Sequence, residues 1–356
     1  MFDAVIIGAG PAGAGAAFDL AAAGARVLVA DKREFPREKA CAGGITPRAL
    51  SLFRFDVSLF VRRQCQVLKI VPPKGRSFLV KASSPLCFMT RRKDLDEFAL
   101  KRAMESGAEF RIVRKIQSIT NLPNHVEIVA DGEQIRTACL IGADGANYLV
   151  RRMAGFDFRV VRYPAIEADV FVDRPEDFEM EFDFSLSPPG YFWIFPRDDH
   201  VNIGIYSPRE GKGVKAKLLQ DFSAVRFPGK TISSIKGYPI GTGGYCRQPG
   251  KGRVLLVGDA AGLAEPCFGE GIYFALKSGQ TAARAAVNSG PESPERLYTQ
   301  YMKVIRKELF LYSLGAAFLY RSPDLFLNGL SLPFIRDRFA RGYCLGKSLT
   351  EILAGH

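Results

Sequence analysis

The sequence is poor in the residues that bind metals and cross-link chains. It has three histidines, His125, His200 and His356, scattered along 356 residues. None lies in a motif, so no role is assigned to them and no metal site is expected. The seven cysteines sit at 41, 65, 87, 139, 246, 267 and 344. Their number is odd and no two have CxxC spacing, which argues against a disulfide framework, a zinc ribbon or a cysteine-ligated iron–sulfur cluster. Reduced thiols in the cytoplasm fit best. Long uninterrupted apolar runs are also missing. Leu309 to Tyr320 spans 12 residues, short of the roughly 20 that cross a bilayer. Ala4 to Ala30 carries only Asp19 and Arg26 as charges, but glycines interrupt it and no basic segment precedes it, so it does not read as a signal peptide. A soluble cytoplasmic protein is expected, or one peripheral on the inner face of the membrane.

What is present is an ordinary globular composition, 47% hydrophobic and 24% charged, with chain enough for about two domains. The net charge is +12, and it is unevenly placed. Lys32 to Arg76 holds eleven Lys/Arg against three acids; Glu167 to Asp183 holds eight acids against one Arg. No nucleic-acid module accompanies the basic excess, so no nucleic-acid partner is expected. The basic segment reads either as a landing site for a diphosphate or phospholipid headgroup or as a solvated surface.

Ala4–Ile7 reads as a buried strand, Ala12–Ala23 as a helix ended by Gly24, and Arg26–Ala30 as the next strand. This βαβ unit implies a parallel sheet. Asp94–Ser106 is an amphipathic helix, and Asp131-Gly132 marks a hairpin between 126–129 and 134–137. Leu140–Asp144 reads as a further short strand. From Ala165 to Tyr206 the period is two. Asp177, Glu179, Glu181 and Asp183 alternate with Phe178, Met180, Phe182 and Phe184, which reads as a solvated acidic sheet face opposite an apolar one. Tyr191–Phe195 and Val201–Tyr206 continue an antiparallel sheet, α/β character returns at Arg253–Val257, and the last hundred residues are mostly helical. The expected fold is α/β: a Rossmann-like dinucleotide-binding domain (1–155 with 246–290), an inserted antiparallel substrate domain (156–245) and a C-terminal helical cap (291–356). Residues 65–90 are open between the first domain and the substrate sheet.

Gly8-Ala-Gly10-Pro-Ala-Gly13 is a GxGxxG between strand and helix. Gly8 permits the turn, Gly10 lets backbone approach a pyrophosphate, and Gly13 lets helix and sheet pack closely. The helix N-terminus adds free N–H groups for phosphate. Asp31, 23 positions after Gly8, is placed for ribose hydroxyls, with Lys32 beside it. Further motifs follow: Thr90-Arg-Arg92-Lys-Asp-Leu-Asp96, Ala143-Asp-Gly145 with Arg151 and Arg152, Gly258-Asp259-Ala-Ala-Gly262, and Gly269-Glu-Gly271-Ile272. In this order they resemble the FAD-dependent oxidoreductases of the para-hydroxybenzoate hydroxylase superfamily. Tyr148 stands where that superfamily's middle motif usually has Ser. The resemblance implies FAD as cofactor, its ribityl chain at Asp259 and its ring near Arg92.

Two more segments narrow the family. Lys39-Ala-Cys41-Ala42-Gly-Gly44-Ile45 resembles the Cys-Gly-Gly-Gly stretch of the geranylgeranyl reductase family, with Ala42 replacing a Gly. Pro189-Gly-Tyr191-Phe-Trp193-Ile-Phe195-Pro196 resembles its Tyr-x-Trp-x-Phe-Pro motif, and Asn202-Ile-Gly204 follows. Carried over by position, the flavin contacts are Gly8, Gly10, Ala12, Gly13, Asp31, Lys32, Cys41, Ala42, Gly44, Arg92, Ile116, Asp259, Gly269, Gly271 and Ile272.

The resemblance implies saturation of isolated double bonds in a long-chain isoprenoid lipid or prenyl diphosphate. An isolated alkene is a poor electrophile, so a proton must arrive with the hydride. Cys41 is a candidate acid or an inert packing thiol; Glu270 is a second acid candidate or a solvated helix-start carboxylate. Tyr191, Trp193 and Phe195 share a strand face and, with Phe268, are candidates for the substrate wall, where ring faces would favour developing positive charge. Tyr191 and Trp193 thereby join Cys41 as catalytic candidates. The expected electron donor is NAD(P)H or a reduced ferredoxin-type carrier protein, and the C-terminal cationic helices suit contact with an anionic membrane. Two rival readings share the motifs: a flavin monooxygenase of an aromatic or polyketide substrate, and a flavoprotein electron carrier or lipid-binding protein. Six cysteines other than Cys41 are expected to be packing residues.

Overall fold

A computed structural model describes residues 1–185, 189–210 and 214–355; His356 lies outside them. The first strand, Phe2–Ile7, is apolar except at Asp3 and lies inside a sheet. It pairs in parallel with Val27–Asp31 on one side and Glu133–Gly142 on the other. Glu109–Ile112 and Val254–Leu256 extend the parallel core outward. Apolar runs such as Val27–Ala30 can sit there because both faces are covered. Across one face, helix Pro11–Ala22 packs on helix Ile272–Asn288. Gly279 makes this approach possible: a Cβ there would lie 2.2 Å from Ala12 O.

The expected hairpin is present. Asp131 and Gly132 both have left-handed φ (48° and 86°), the backbone of a type I′ turn. Its second strand differs from expectation. The hairpin strand and the short strand expected at Leu140–Asp144 are one ten-residue strand, Glu133–Gly142. Its first half pairs antiparallel with Val126–Ala130 and its second half parallel with Phe2–Ile7. Ala138 and Cys139 offer no break, so the chain simply continues.

A second sheet runs in the order Lys236–Thr242, Val161–Val170, Val201–Tyr206, Tyr191–Pro196, Met180–Asp183, Val67–Val71, Phe78–Lys81. It is antiparallel except where Met180–Asp183 meets Val67–Val71. Alternate residues bury opposite faces. Tyr191, Trp193, Phe195 and Tyr206 join Leu319, Leu327 and Ala340 of the C-terminal helices. Phe192, Ile194, Ile203 and Ile205 pack on Leu219 and Phe222 of helix Ala216–Arg226.

That helix overturns the solvated acidic face. Glu181 and Asp183 are buried beneath it, and Arg226 binds both while Lys69 takes Glu181. The alternation also stops early: Asp177 ends a 3₁₀ turn and Phe178 packs on Phe227, on the helix side. A small third sheet of Gly44–Ile45, Val61–Cys65 and Cys87–Thr90 supports the Cys41 loop. Helices Lys303–Arg321, Pro323–Ser331 and Pro333–Cys344 cover the aromatic face of the second sheet, and Leu349–Ala354 packs on the first and third of them. Among the described residues no helix is long and apolar enough to cross a membrane. Cys246 departs from the packing expectation: it is exposed, whereas Cys65, Cys87, Cys139, Cys267 and Cys344 are buried.

Candidate functional site

The glycine loop has the geometry its spacing predicts. Gly8 has φ +106°, and a Cβ there would lie 2.3 Å from Ala143 O. At Gly13 a Cβ would lie 1.9 Å from Gly8 O, so the turn can close only without side chains. At Gly10 the space is open, with only an Arg37 nitrogen within 3.7 Å. Ala12 follows on the helix, against Gly279. Asp31 reaches back over the loop, accepting from the Ala9 amide at 2.9 Å and the Arg33 amide at 3.0 Å. Lys32 beside it is exposed. Ile116 opens the strand Ile116–Asn121, three residues past Val113, whose amide donates to Asp31 O.

The Cys41 loop is held at every residue. Cys41 N donates to Glu167 Oε1 at 2.9 Å, and Arg197 donates to Ala42 O at 3.1 Å. Thr90 donates to Gly43 O through both amide and hydroxyl, and Gly44 pairs with Met89. A Cβ on Gly43 would lie 2.2 Å from Thr90 O, and one on Gly44 would press on Cys87 Sγ and the Phe195 ring. The loop is therefore wedged between the small sheet and the aromatic strand. Arg92, expected near the ring, is buried; it grips Asp96 at 2.7 and 2.8 Å and lies against the Cys41 thiol.

A third loop, 265–271, faces the Cys41 loop. Three tyrosines from three elements donate to three consecutive carbonyls. Tyr206 serves Pro266, Tyr320 serves Cys267, and Tyr191 serves Phe268. From inside, the Glu265 carboxylate accepts the amides of Cys267, Phe268 and Glu270 at 2.7–2.9 Å. Phe268, so presented, stacks on Phe182 at 5.2 Å. Glu270 is not the solvated carboxylate that was one expectation. Thr46 donates to it at 2.5 Å, and it pairs with buried Arg48, which also binds Glu308 at 2.5 Å.

These parts line one cavity of about 710 Å³. Cys41, Ala42, Gly44, Arg92, Asp259, Gly269, Gly271 and Ile272 border it, as do Tyr191, Trp193, Phe195 and Phe268. Gly8, Gly10, Ala12, Gly13, Asp31, Lys32 and Ile116 do not line it; Pro11 carries the cavity to the start of their helix. Sequence reasoning missed Lys39, Glu167, Tyr238 and Glu265, which also line it. The signal for Lys39 was its place in the Cys41 motif; for Glu167 and Glu265 none stood out.

Burial governs the charges here. Burial and the Arg92 guanidinium pull the Lys39 ammonium down to about 7, where it lies over the Tyr238 ring. Burial raises Asp259 above the usual carboxylate range although Lys39 is near. Burial pushes Glu265 up to about 7 despite its three amides. The Tyr191 hydroxyl is driven well above its ordinary value, again by burial. Much of the basic segment is neutralised internally: Arg37 on Asp96, Arg48 on Glu270 and Glu308, Arg54 on Asp19, Arg62 on Asp94. With Lys69 on Glu181, five of the segment's eleven cations are engaged in this way.

A turn that tolerates no Cβ at Gly8 or Gly13 and leaves Gly10 open, a helix start at Pro11, a second at Ile272, and the Arg92 guanidinium between them fit an elongated anionic dinucleotide. The sheet, the inserted second sheet and this cradle define a dinucleotide-binding α/β protein, and the match that follows makes the dinucleotide FAD. A family profile described as an FAD binding domain matches residues 1–301. A geranylgeranyl diphosphate reductase of Rhodobacter capsulatus is 31% identical over 301 residues, covering 80% of this chain and 75% of that one. An uncharacterized protein of Methanosarcina barkeri is 35% identical over 362 residues, covering 99% and 93%. The crystal structure of a geranylgeranyl bacteriochlorophyll reductase-like protein from Thermoplasma acidophilum superposes with TM-score 0.78 at 22% identity, covering 99% and 98%. The chain belongs to the geranylgeranyl reductase family of FAD-dependent oxidoreductases.

Proposed function

We propose that this protein saturates carbon–carbon double bonds of an isoprenoid chain carried on a lipid or a prenyl diphosphate. The observation that carries this reading is the single cavity joining the Cys41 loop, the 265–271 loop and the aromatic wall beneath the C-terminal helices. The names of relatives in this range of identity support it: they include digeranylgeranylglycerophospholipid reductases of Methanopyrus kandleri and Methanosarcina acetivorans.

Bound FAD, when reduced, supplies a hydride. The glycine loop, Asp31, Lys32 and Ile116 serve its adenosine and phosphate end; Ala42, Gly44, Arg92, Asp259 and Gly269–Ile272 serve the rest. The chain's own task is then to exclude water, align the alkene and deliver a proton. Trp193, Phe195, Phe182 and Phe268 make a dry wall for the alkene. Their π faces offset positive charge developing on carbon by about 0.5–2 kcal/mol each. Cys41 Sγ holds the proton, with Arg92 beside it to steady the thiolate that its departure leaves. The Tyr191 hydroxyl is committed to Phe268 O, so Tyr191 acts by shaping the loop and the wall.

NAD(P)H or a reduced ferredoxin-type carrier recharges the flavin. Exposed Phe334 and Leu325 lie on the C-terminal helices, and exposed Leu332 and Leu345 at their ends. Between Lys303 and Glu351 these helices and the turns joining them carry eight Lys/Arg against four acids. That combination supports peripheral contact with an anionic membrane, where a greasy substrate resides. The test is mass spectrometry of a cell lipid extract incubated with photoreduced holoenzyme. Prenyl lipids should gain one H₂ per double bond. Substrate-stimulated oxygen consumption without such gains would favour a monooxygenase instead.

A further inference from the structure

The aromatic strand and the Cys41 loop are far apart in sequence, yet two side chains, Asn202 and Glu167, link them by hydrogen bonds. Asn202 is buried on the strand beside Trp193. Its Oδ1 accepts the Trp193 indole N–H at 2.8 Å. An indole nitrogen only donates, so the amide is fixed with Nδ2 turned the other way. Nδ2 donates to Asp169 Oδ1 at 2.9 Å and to Glu167 Oε2 at 3.4 Å. The other oxygen of Glu167 takes the Cys41 amide at 2.9 Å. Asp169 is held in turn by His200 and Arg197, and Arg197 reaches Ala42 O. Gly204 completes the arrangement: a Cβ there would lie 2.0 Å from Trp193 Cζ2, so the benzo edge of the indole closes on bare backbone.

We infer that Asn202 and Glu167 are positioning residues that hold the Trp193 ring and the Cys41 thiol in fixed mutual geometry. Neither moves a proton or an electron. Asn202 reads the indole on one side and Glu167 on the other; Glu167 converts that reading into the placement of the Cys41 backbone. Such a network holds geometry best when its members are satisfied: the polar atoms of Asn202 and both oxygens of Glu167 have partners, while Arg197 keeps a buried Nε without one among the described residues. The inference rests on the proposed reduction for its purpose but not for its detection, because both ends of the link can be read without substrate. Trp193 is the only tryptophan of the chain, so indole emission reports on it alone.

The experiment uses FAD-loaded protein carrying Cys246→Ser, which removes the exposed thiol. Glu167→Gln does not touch the indole, but it places an amide donor against Asn202 Nδ2 or against Cys41 N. Asn202→Asp keeps an acceptor for the indole and sets a carboxylate against Glu167 and Asp169. Acrylamide quenching of Trp193 and iodoacetamide alkylation of Cys41, mapped by mass spectrometry, are measured for each. The expected result is crossed: Glu167→Gln changes Trp193 quenching, and Asn202→Asp changes Cys41 alkylation, each by about threefold or more, the scale of coupling inside one hydrogen-bonded network. An effect confined to the group each residue touches overturns the inference. With a prenyl lipid substrate, kcat should fall about tenfold and KM stay within about twofold; a change in KM alone also overturns it. If the crossed effects appear and no prenyl lipid is reduced, the positioning stands and the assigned reaction fails. Should Asn202→Asp not fold, the Glu167→Gln quenching result decides.

Discussion

Trp193 lies in the cavity wall with its edge hydrogen-bonded and its ring against Gly204. If the ring stabilises charge on the reacting carbon, Trp193→Leu should lower kcat about 2- to 30-fold with a smaller change in KM. Steady-state kinetics on the reduced lipid decides; an unchanged kcat with a raised KM would leave only a gripping role. Glu265 offers a pH test. Its folded pKa is raised from 4.5 to about 7 by burial, so the folded chain holds a proton that the unfolded chain gives up. Stability is therefore lost as pH rises across that window, by at most about 3 kcal/mol. Denaturant titrations from pH 5 to 8 should show that loss in the parent protein, relative to Glu265→Gln. The residue types at the site were legible where they sat in motifs: Cys41, Arg92, Asp259, Trp193. Glu265 and Glu167 were not, because their roles come from loops and strands that meet only in the fold.

At the scale of elements, the glycine-loop turn, the Asp131-Gly132 hairpin and the two aromatic strands could be read from sequence, since local spacing dictates each. Helix Ala216–Arg226 could not, and with it went the reading of the acidic strand. An alternating acid pattern looks the same whether water or Arg226 covers it. Two substitutions probe elements. Gly13→Ala would set a Cβ 1.9 Å from Gly8 O. It should abolish retention of the flavin through purification, read from its visible absorbance, while the second sheet keeps its circular dichroism. Glu308→Ala leaves Arg48 buried with one carboxylate fewer. Glu270 still balances the charge, so the cost is that of one charged hydrogen bond, about 1.5–3 kcal/mol, and hydrogen exchange should locate the loosening in helices Lys303–Arg321 and Leu349–Ala354.

For the whole molecule, the net charge divides into two parts. Around the Cys41 loop Arg37, Arg48, Arg54, Arg62 and Lys69 answer buried or nearby acids. On the C-terminal helices they stand beside exposed apolar groups, Phe334 at 71% and Leu325 at 65% exposure. Flotation with phosphatidylglycerol vesicles should be strong at low salt and fall at 1 M salt, where charges are screened within about 3 Å. Flotation indifferent to salt would reduce the contact to its apolar part.

The parallel core draws its strands from residues 2–31, 109–112, 133–142 and 254–256. Synthesis is vectorial, and domains form as their parts emerge. The second sheet, finished by Thr242, is complete on the ribosome before the first one can close. Until Ile272–Asn288 follows, the face of Pro11–Ala22 that meets Gly279 stays bare. The cofactor cradle, begun at Gly8, is thus completed only once Ile272–Asn288 has emerged.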